Sequence, residues 1–247
     1  MPASRVAYAT TVALLGALPK ANAFAAAGPL ARTPSVIGAR APLGGSTILA
    51  AAATAPDVSL GSSGPKRVLV PVADGSEEIE SVTIIDTLVR AGASVTVASV
   101  GEDTQVTCSR GVKLVADCKI AECEEHPWDA VVCPGGMPGA THLKESAALE
   151  AILNKQNLEG RIVAAICAAP AVVLASHGLL DGKKATCYPA PPFIAQIPER
   201  VDEKVVVDGN IITSQGPATA MPFALQLVES LFGTKKAEEI GKQMLVA

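Results

Sequence analysis

From Arg67 onwards, short apolar runs of strand length alternate with segments that have a helical pattern. In the first unit, the strand-like segment 67–73 precedes the helical segment 75–92. The helical segment has acids in its first turn and Gly92 after its last turn, as helix ends prefer. The other predicted strands are 93–100, 129–136, 161–166, 184–188, 204–209 and 210–214, and the other predicted helices are 146–156, 169–178, 218–233 and 234–245. This alternation predicts a mostly parallel central sheet between two layers of helices.

The composition agrees with a domain of this kind. Hydrophobic residues make up 49% of the chain but aromatic residues only 3%, so the core must consist mainly of valine, isoleucine, leucine and alanine, which suit buried parallel strands. The net charge of −4 gives no reason to expect nucleic acid as a partner. The six cysteines have no CxxC spacing, and Cys118 and Cys123 form the one close pair, so reduced and mostly buried thiols are predicted rather than a disulfide framework or a zinc site.

Residues 1–65 have a different character. Before Asp57 the chain contains no aspartate or glutamate but four basic residues, a composition typical of organellar transit peptides, and the sparse arginines favour a plastid over a mitochondrion. The apolar stretch 6–18 is too short to span a membrane. A secretory signal ending near 21–23 and a disordered cytosolic tail are the alternatives. We expect a transit peptide and linker over 1–65 and a folded domain over 66–247.

Three segments leave predicted strands at one edge of the sheet. They are ADGSEE (73–78), CPGGMPGA (133–140) and ICAAP (166–170). In open parallel sheets, chemistry collects beyond the carboxyl ends of the strands. We therefore expect the functional site where these three segments meet.

Cys167 is the candidate nucleophile of this edge. Ala168 and Ala169 are small enough for the sharp strand-to-helix turn of a nucleophile elbow, and Pro170 suits the first turn of a helix. A helix N-terminus stabilises a thiolate, so this position predicts a lowered pKa for Cys167. The alternative is a core cysteine that acts only as a small hydrophobic residue.

The glycines of PGG, Gly135 and Gly136, allow the backbone to approach a ligand closely and offer N–H groups to an anion. Together with the N–H of Ala168, the N–H of Gly136 could form an oxyanion hole. An ordinary turn between strand and helix is the alternative interpretation.

Glu80 lies on the same helical stripe as Ile84 and Leu88. A carboxyl group that faces an apolar region has a raised pKa and can share a proton with a nearby thiolate. The alternative is a solvated helix acid. The chain contains no HExxH, GxGxxG or GxxxxGK[ST] motif, so neither a metal nor a nucleotide cofactor is predicted.

Taken together, these segments resemble the ThiJ/PfpI superfamily, most closely its DJ-one type, over about residues 66–245. The matching stretches are DGSEEIE (74–80), CSRGVKL (108–114), DAVVCPGGMPGA (129–140), AAICAAPAVVLA (164–175) and ITSQGPATAMPFAL (212–225). The resemblance implies a flavodoxin-like three-layer α/β sandwich and, as is usual in that family, a homodimer.

The resemblance also implies roles for individual residues. Cys167 would be a reactive, oxidation-sensitive cysteine, and Glu80 would be the protonated carboxyl group that hydrogen-bonds to it. Backbone N–H groups of the PGG turn and of Ala168 would bind the substrate oxygen, and Arg110 would be a charged residue near the site. Superfamily members act as cofactor-free glyoxalases, as deglycases on early glycation adducts and as redox-responsive chaperones.

One departure from the family pattern concerns Tyr188, which stands where the family often has a histidine. A phenol is a poor general base at neutral pH, so Glu80 must carry most of the proton transfer, whereas Tyr188 could donate a hydrogen bond to the substrate. PfpI-type proteases carry a histidine directly after the elbow cysteine, where this chain has Ala168. Class I glutamine amidotransferases need a downstream His-x-Glu, and no histidine follows His177.

The sequence therefore predicts a glutathione-independent glyoxalase with deglycase-type repair activity. Its substrates would be small reactive aldehydes, methylglyoxal and glyoxal, or glycated groups, and it would require no cofactor, nucleic acid or membrane. The alternative is a redox-sensing chaperone in which Cys167 becomes oxidised with little turnover.

Overall fold

The computed structural model describes residues 64–246, so the predicted leader over 1–65 lies outside it except for its last two residues. The strands are β1 (Arg67–Val72), β2 (Ser94–Ser99), β3 (Gln105–Thr107), β4 (Lys113–Val115), β5 (Cys118–Lys119), β6 (Ala130–Cys133), β7 (Ile162–Ile166), β8 (Lys184–Ala185), β9 (Glu199–Arg200), β10 (Val205–Asp208) and β11 (Ile211–Ser214). The helices are α1 (Glu78–Ala91), α2 (Gly139–Glu145), α3 (Ala147–Leu158), α4 (Pro191–Ile194), α5 (Ala220–Phe232) and α6 (Thr234–Gln243).

The central sheet has seven strands in the order β10-β11-β7-β6-β1-β2-β5. The strand pairs are parallel except β10 with β11, which run antiparallel at one edge. In a parallel sheet the loops that follow the strands emerge at the same edge, and β1, β6 and β7 are adjacent in this order. The segments that follow these three strands are therefore brought together, as predicted.

The sheet is covered on both faces. Successive side chains of a strand point to opposite faces, and every residue of β6 and of β11 is buried. Two groups of helices provide the cover: α1, α5 and α6 pack on one another, as do α2, α3 and the helical turn that follows β7. This arrangement is a flavodoxin-like α/β sandwich and confirms the predicted fold class.

Helix α1 shows how local sequence positions the site. The side chain of Glu77 caps its N-terminus by accepting a hydrogen bond from the backbone N–H of Glu80 at 2.8 Å. Gly92 ends the helix with a φ of 95°, a left-handed conformation that glycine adopts without strain. The stripe formed by Glu80, Ile84 and Leu88 is fully buried, so α1 directs a carboxyl group toward the sheet.

The structure differs from the predicted elements in several places. The predicted helix 169–178 is a π-helical turn over Pro170–Leu174 and a 3-10 turn over Ala175–His177, because the N–H of Ala175 bonds to the carbonyl of Pro170 five residues earlier. Only Lys184–Ala185 (β8) of the predicted strand 184–188 is a strand, because the N–H of Thr186 donates to Oγ1 of Thr213 and the N–H of Tyr188 donates to the carbonyl of Cys167. The hairpin of β3 and β4, helix α2 and helix α4 were not predicted.

None of the helices within residues 64–246 has both the length and the apolar character needed to cross a membrane.

Candidate active site

Cys167 follows β7 directly and forms a strained elbow. Its φ of 65° lies in the left-handed region, which costs a non-glycine residue about 1–2 kcal/mol. Two backbone hydrogen bonds hold it there: the N–H of Cys167 donates to the carbonyl of Ser214 at 3.0 Å, and the carbonyl of Cys167 accepts from the N–H of Tyr188 at 2.7 Å. The predicted turn is therefore present, and the end of β11 and the segment after β8 fix its geometry.

Glu80 approaches this elbow from α1. Its side chain is completely buried, and its Oε2 accepts a hydrogen bond from the N–H of Gly135 at 2.8 Å. Its Oε1 is also buried but has no hydrogen-bond partner, although the thiol of Cys167 is a neighbour that interacts with this carboxyl group. Burial raises the pKa of Glu80 to about 7, even though the N–H of Gly135 and the thiol favour the ionised form. The raised pKa agrees with the prediction.

The pKa of Cys167 contradicts the prediction. Burial raises the pKa of this thiol to about 12, and the charge of the Glu80 carboxylate adds to the increase. The N–H groups of Gly136 and Ala168 act in the opposite direction but are outweighed. The cysteine is only 8% exposed, and a single five-residue π turn follows it in place of the predicted helix. Loss of water and a nearby negative charge thus outweigh the helix terminus.

These values describe a pair of groups that share a proton. When the carboxyl group of Glu80 is protonated, its repulsion of a Cys167 thiolate disappears, and Oε1 gains a hydrogen that it can donate. Attack by the thiol therefore depends on moving its proton to Glu80. The buried carboxyl group of Glu80 interacts with the thiol and is therefore the group available to receive that proton.

The PGG turn brings its backbone against both groups. A Cβ atom at Gly135 would lie 2.5 Å from Cβ of Cys167 and 2.9 Å from Oε2 of Glu80, so no side chain fits there. Gly136 has a φ of 87°, and its N–H interacts with the Cys167 thiol, as does the N–H of Ala168. The structure thus brings together Glu80, Gly135, Gly136, Cys167 and Ala168.

Tyr188 lies beside the elbow of Cys167. Its backbone N–H bonds to Cys167, while its ring is 44% exposed and packs edge-on against Phe193 with the ring centres 6.2 Å apart. The ring also lies beside Gly216, at ordinary contact distance from where a Cβ atom would be. The backbone of Tyr188 therefore lies against the elbow, and contact of its ring with a substrate stays a prediction.

Arg110, which the resemblance implies to be a charged residue near the site, is held by hydrogen bonds to Glu78 and Ser109. Its backbone N–H donates to Oε1 of Glu78 at 2.8 Å, but its guanidinium group donates to the carbonyl of Ser109. Within residues 64–246, no hydrogen bond or ion pair joins this guanidinium group to Glu80 or Cys167. The guanidinium group is exposed at the surface.

Glu78 has a role beside the site that was not predicted. This acid is buried, and its carboxylate accepts hydrogen bonds from Oγ of Ser109 and the N–H of Arg110, both at 2.8 Å. Burial acts to raise the pKa of Glu78, but hydrogen bonds outweigh it and lower the pKa. Glu78 therefore links the CSR segment to the start of α1 by hydrogen bonds. The sequence around Glu78 could not reveal this contact, because Ser109 lies 31 residues away.

Across residues 64–246, no cluster of three or more histidine, cysteine, aspartate or glutamate side chains is arranged to hold a metal ion.

A thiol on a strand-to-helix elbow, backed by two N–H groups and a buried carboxyl group, defines a cysteine site of the nucleophile-elbow class on a flavodoxin-like sandwich. The chain belongs to the DJ-1/PfpI family, whose sequence model matches residues 66–230. The resemblance noted from the sequence is thereby confirmed.

Individual relatives agree with this assignment. Protein DJ-1 homolog B of Arabidopsis thaliana is 46% identical over 189 residues, which are 76% of this chain and 43% of that protein, so the chain spans less than half of that relative. Glutathione-independent glyoxalase DJR-1.2 of Caenorhabditis elegans is 36% identical over 183 residues, covering 73% of this chain and 95% of that protein. The structure of oxidized DJ-1 from Toxoplasma gondii is 50% identical in sequence and superimposes with a TM-score of 0.71. The alignment covers 73% of this chain and 98% of the Toxoplasma chain.

Proposed function

We propose that this chain is a cofactor-independent and glutathione-independent glyoxalase that converts methylglyoxal and glyoxal to 2-hydroxy acids. The observation that carries the proposal is the arrangement around Cys167: the N–H groups of Gly136 and Ala168 interact with the thiol, and so does the buried carboxyl group of Glu80, whose pKa is about 7. The name of the nematode relative supports the same reaction.

The first step is addition of the thiol to the aldehyde. The carboxylate of Glu80 accepts the proton of the Cys167 thiol as the sulfur forms a bond to the aldehyde carbon. The carbonyl π electrons move to the oxygen, whose negative charge is stabilised by the N–H groups of Gly136 and Ala168. Return of the proton from Glu80 to this oxygen gives a neutral hemithioacetal and regenerates the carboxylate.

The second step is an isomerisation without net oxidation. Glu80 removes the proton from the carbon bonded to sulfur and delivers it to the adjacent carbon, while the hydroxyl proton moves from the first oxygen to the second. The product is a thioester of the 2-hydroxy acid. Water then cleaves the carbon–sulfur bond, releasing the acid and restoring the Cys167 thiol. The overall change is the addition of one water, so no electron acceptor is required.

Lactate formation from methylglyoxal in the absence of glutathione tests the proposal. We expect the full chain to form lactate, the Cys167→Ser variant to fall to the uncatalysed rate, and the Glu80→Gln variant to lose about 10²–10⁴ in rate through loss of the acid–base group. Cys118→Ser is the matched control, because Cys118 lies in β5 at the far edge of the sheet. Lactate formation no faster in the unaltered chain than in Cys167→Ser would contradict the proposal.

The same chemistry extends to glycation adducts, on which we propose a deglycase-type activity. Because free aldehyde is in equilibrium with early adducts, the assay must include an aldehyde scavenger. Adduct loss that depends on Cys167 and persists with the scavenger supports direct repair, whereas adduct loss that stops with the scavenger supports action on the free aldehyde alone.

The second candidate function is redox sensing by Cys167. The buried carboxyl group of Glu80 favours it, because in its protonated form this group, which interacts with the thiol, could donate a hydrogen bond to a sulfinate formed on Cys167. Mass spectrometry after mild peroxide treatment tests this function. Oxidation concentrated at Cys167 and weakened by Glu80→Gln supports it, whereas oxidation spread evenly over the six thiols counts against it.

We also propose that the chain forms a homodimer through an exposed apolar face of α1 and the hairpin of β3 and β4. The exposed side chains are Ile79, Val82, Val89, Val112 and Val115. A second copy of the chain would remove this apolar area from water. We expect light scattering to give twice the chain mass, and a Val82→Glu and Val115→Glu double variant to give the mass of one chain. A single-chain mass for the unaltered protein at micromolar concentration would contradict the proposal.

A further inference from the structure

A pair of thiols lies at β5, the outermost strand on one side of the sheet. Three strands separate β5 from β7, the strand that leads into the elbow. Cys118 belongs to β5, the last strand beyond β2, and Cys123 ends the 3-10 turn over Ile120–Cys123. The two Sγ atoms are 3.6 Å apart, in direct contact, and both cysteines are free. The pair plays no part in the proposed glyoxalase reaction.

The two thiols differ in accessibility. Cys118 is partly exposed, whereas the other five cysteines of the chain are buried, and Cys123 is only 1% exposed. A reagent in solution therefore reaches Cys118 first, while Cys123 is shielded from the reagent but already touches the Cys118 sulfur. An accessible thiol with a shielded partner in contact is the arrangement in which a mixed disulfide is resolved within the molecule.

The backbone around the pair is held in place. The N–H of Lys119 donates to Oε1 of Glu122 at 2.9 Å, closing the turn, and the carbonyl of Cys123 accepts from Nε1 of Trp128 at 3.1 Å. A disulfide has an S–S length of about 2.05 Å, so the two sulfur atoms, now 3.6 Å apart, must approach by about 1.5 Å to form one. A bond between residues five positions apart closes only a small loop, so it constrains the unfolded chain little and suits a reversible couple better than a structural staple.

We propose that Cys118 and Cys123 form a reversible dithiol–disulfide couple that is independent of Cys167 and reacts with small disulfides. The Cys118 thiolate attacks the external disulfide and releases one thiolate from it, leaving a mixed disulfide. The Cys123 thiolate then attacks the sulfur of Cys118 and releases the second thiolate. The two cysteines together lose two electrons and two protons, and the external disulfide is reduced to two thiols.

Trp128 provides a built-in reporter of this reaction. It is the one tryptophan of the chain, is 3% exposed, and bonds through its indole N–H to Cys123. A disulfide next to the indole should quench its fluorescence. Burial and the neighbouring Cys118 raise the pKa of Cys123 to about 12, so closure of the internal bond is expected to be the slow step and to accelerate as the pH rises.

The experiment is an equilibration of the full chain, and of its Cys167→Ser variant, in mixtures of reduced and oxidised glutathione. We expect both proteins to lose two alkylatable thiols together with the mass of two hydrogen atoms, to yield a cross-linked peptide that joins Cys118 to Cys123, and to lose at least half of the Trp128 emission. Dithiothreitol should restore all of these signals. Because Cys167→Ser lacks the proposed nucleophile, this result does not depend on the glyoxalase proposal.

Single variants separate internal closure from simple modification. Cys123→Ser should accumulate a stable glutathione adduct on Cys118, and Cys118→Ser should form neither adduct nor internal bond. The proposal is overturned if the unaltered pair accumulates the glutathione adduct as its stable oxidised form. It is equally overturned if both thiols remain alkylatable at the most oxidising glutathione ratio.

Discussion

Replacing Glu80 by glutamine should remove most of the pH dependence of stability that this site imposes on the protein. The pKa of Glu80 rises from its ordinary value of 4.5 to about 7 on folding because the carboxyl group is buried. At about 1.4 kcal/mol for each tenfold change in the acid constant, this difference corresponds to about 3 kcal/mol. Because the folded-state pKa is the higher one, the stabilising contribution is fully present below pH 4.5 and is lost as the pH rises through about 7.

The assay is urea unfolding of the full chain and of the Glu80→Gln variant across this pH range. Glutamine has nearly the same shape, and its amide oxygen can accept the N–H of Gly135, but it cannot ionise. Between about pH 5 and pH 8, we expect the unaltered protein to lose about 2–3 kcal/mol of unfolding free energy relative to the variant. Glu238→Gln, at an exposed position of α6, is the control and should follow the unaltered protein.

Parallel pH profiles for the unaltered protein and Glu80→Gln would refute the reasoning. Such a result would mean that the carboxyl group has an ordinary pKa in the folded state, so that water reaches it or a cation compensates for its charge. The same result would remove the group on which the proposed proton transfer from Cys167 depends. A relative loss of stability in the opposite direction, on lowering the pH, would show that the pKa is depressed by folding.

Three other outcomes can be measured directly. Gly135→Ala should destabilise the fold by about 1–3 kcal/mol in urea unfolding, because the alanine Cβ would lie 2.5 Å from Cβ of Cys167. The variant should also form lactate more slowly. Unchanged stability would show that the PGG turn can shift. Tyr188→Phe should raise KM for methylglyoxal about fivefold with kcat nearly unchanged, since one hydrogen bond to the substrate contributes about 1 kcal/mol. An unchanged KM would exclude that hydrogen bond. The pH profile of kcat/KM should rise through an apparent pKa near 7, set by Glu80, and Glu80→Gln should lose this inflection; a profile that is the same in both proteins would assign the titration to another group.

The central part of the fold could be predicted because its signals are local and repeated. The strands β6 and β7 are uniformly apolar runs, and β1 is apolar after Arg67. Helix α1 carries a capping acid before it and a terminal glycine after it. Parallel order then places the segments after these strands at one edge of the sheet. The hairpin of β3 and β4 was not predicted, because each strand has only three residues and the two outer residues of each are exposed, which is too short a run to show a pattern.

The chemistry of the site was less predictable than its location. The sign of the pKa change at Cys167 depends on how deeply the thiol is buried and on the charge of Glu80, whereas the sequence shows only that a turn follows a strand. The carbonyl of Ser214 that fixes the elbow belongs to a strand far along the chain. The contact between Cys118 and Cys123 likewise depends on how β5 joins the sheet edge, although their spacing is visible in the sequence.

The raised pKa of Cys167 also bears on how the site can be selective. A cysteine whose pKa is lowered by a helix terminus is a thiolate at neutral pH and reacts with any electrophile that reaches it. Here burial and the charge of Glu80 disfavour the free thiolate. The thiol therefore reacts chiefly when Glu80 accepts its proton and when N–H donors stabilise the negative charge that develops on the electrophile. In the proposed reaction a 2-oxoaldehyde would satisfy this condition, because addition would place an oxyanion against Gly136 and Ala168 while Glu80 holds the proton. An alkyl halide develops no such oxyanion, and this difference favours carbonyl substrates over indiscriminate alkylation.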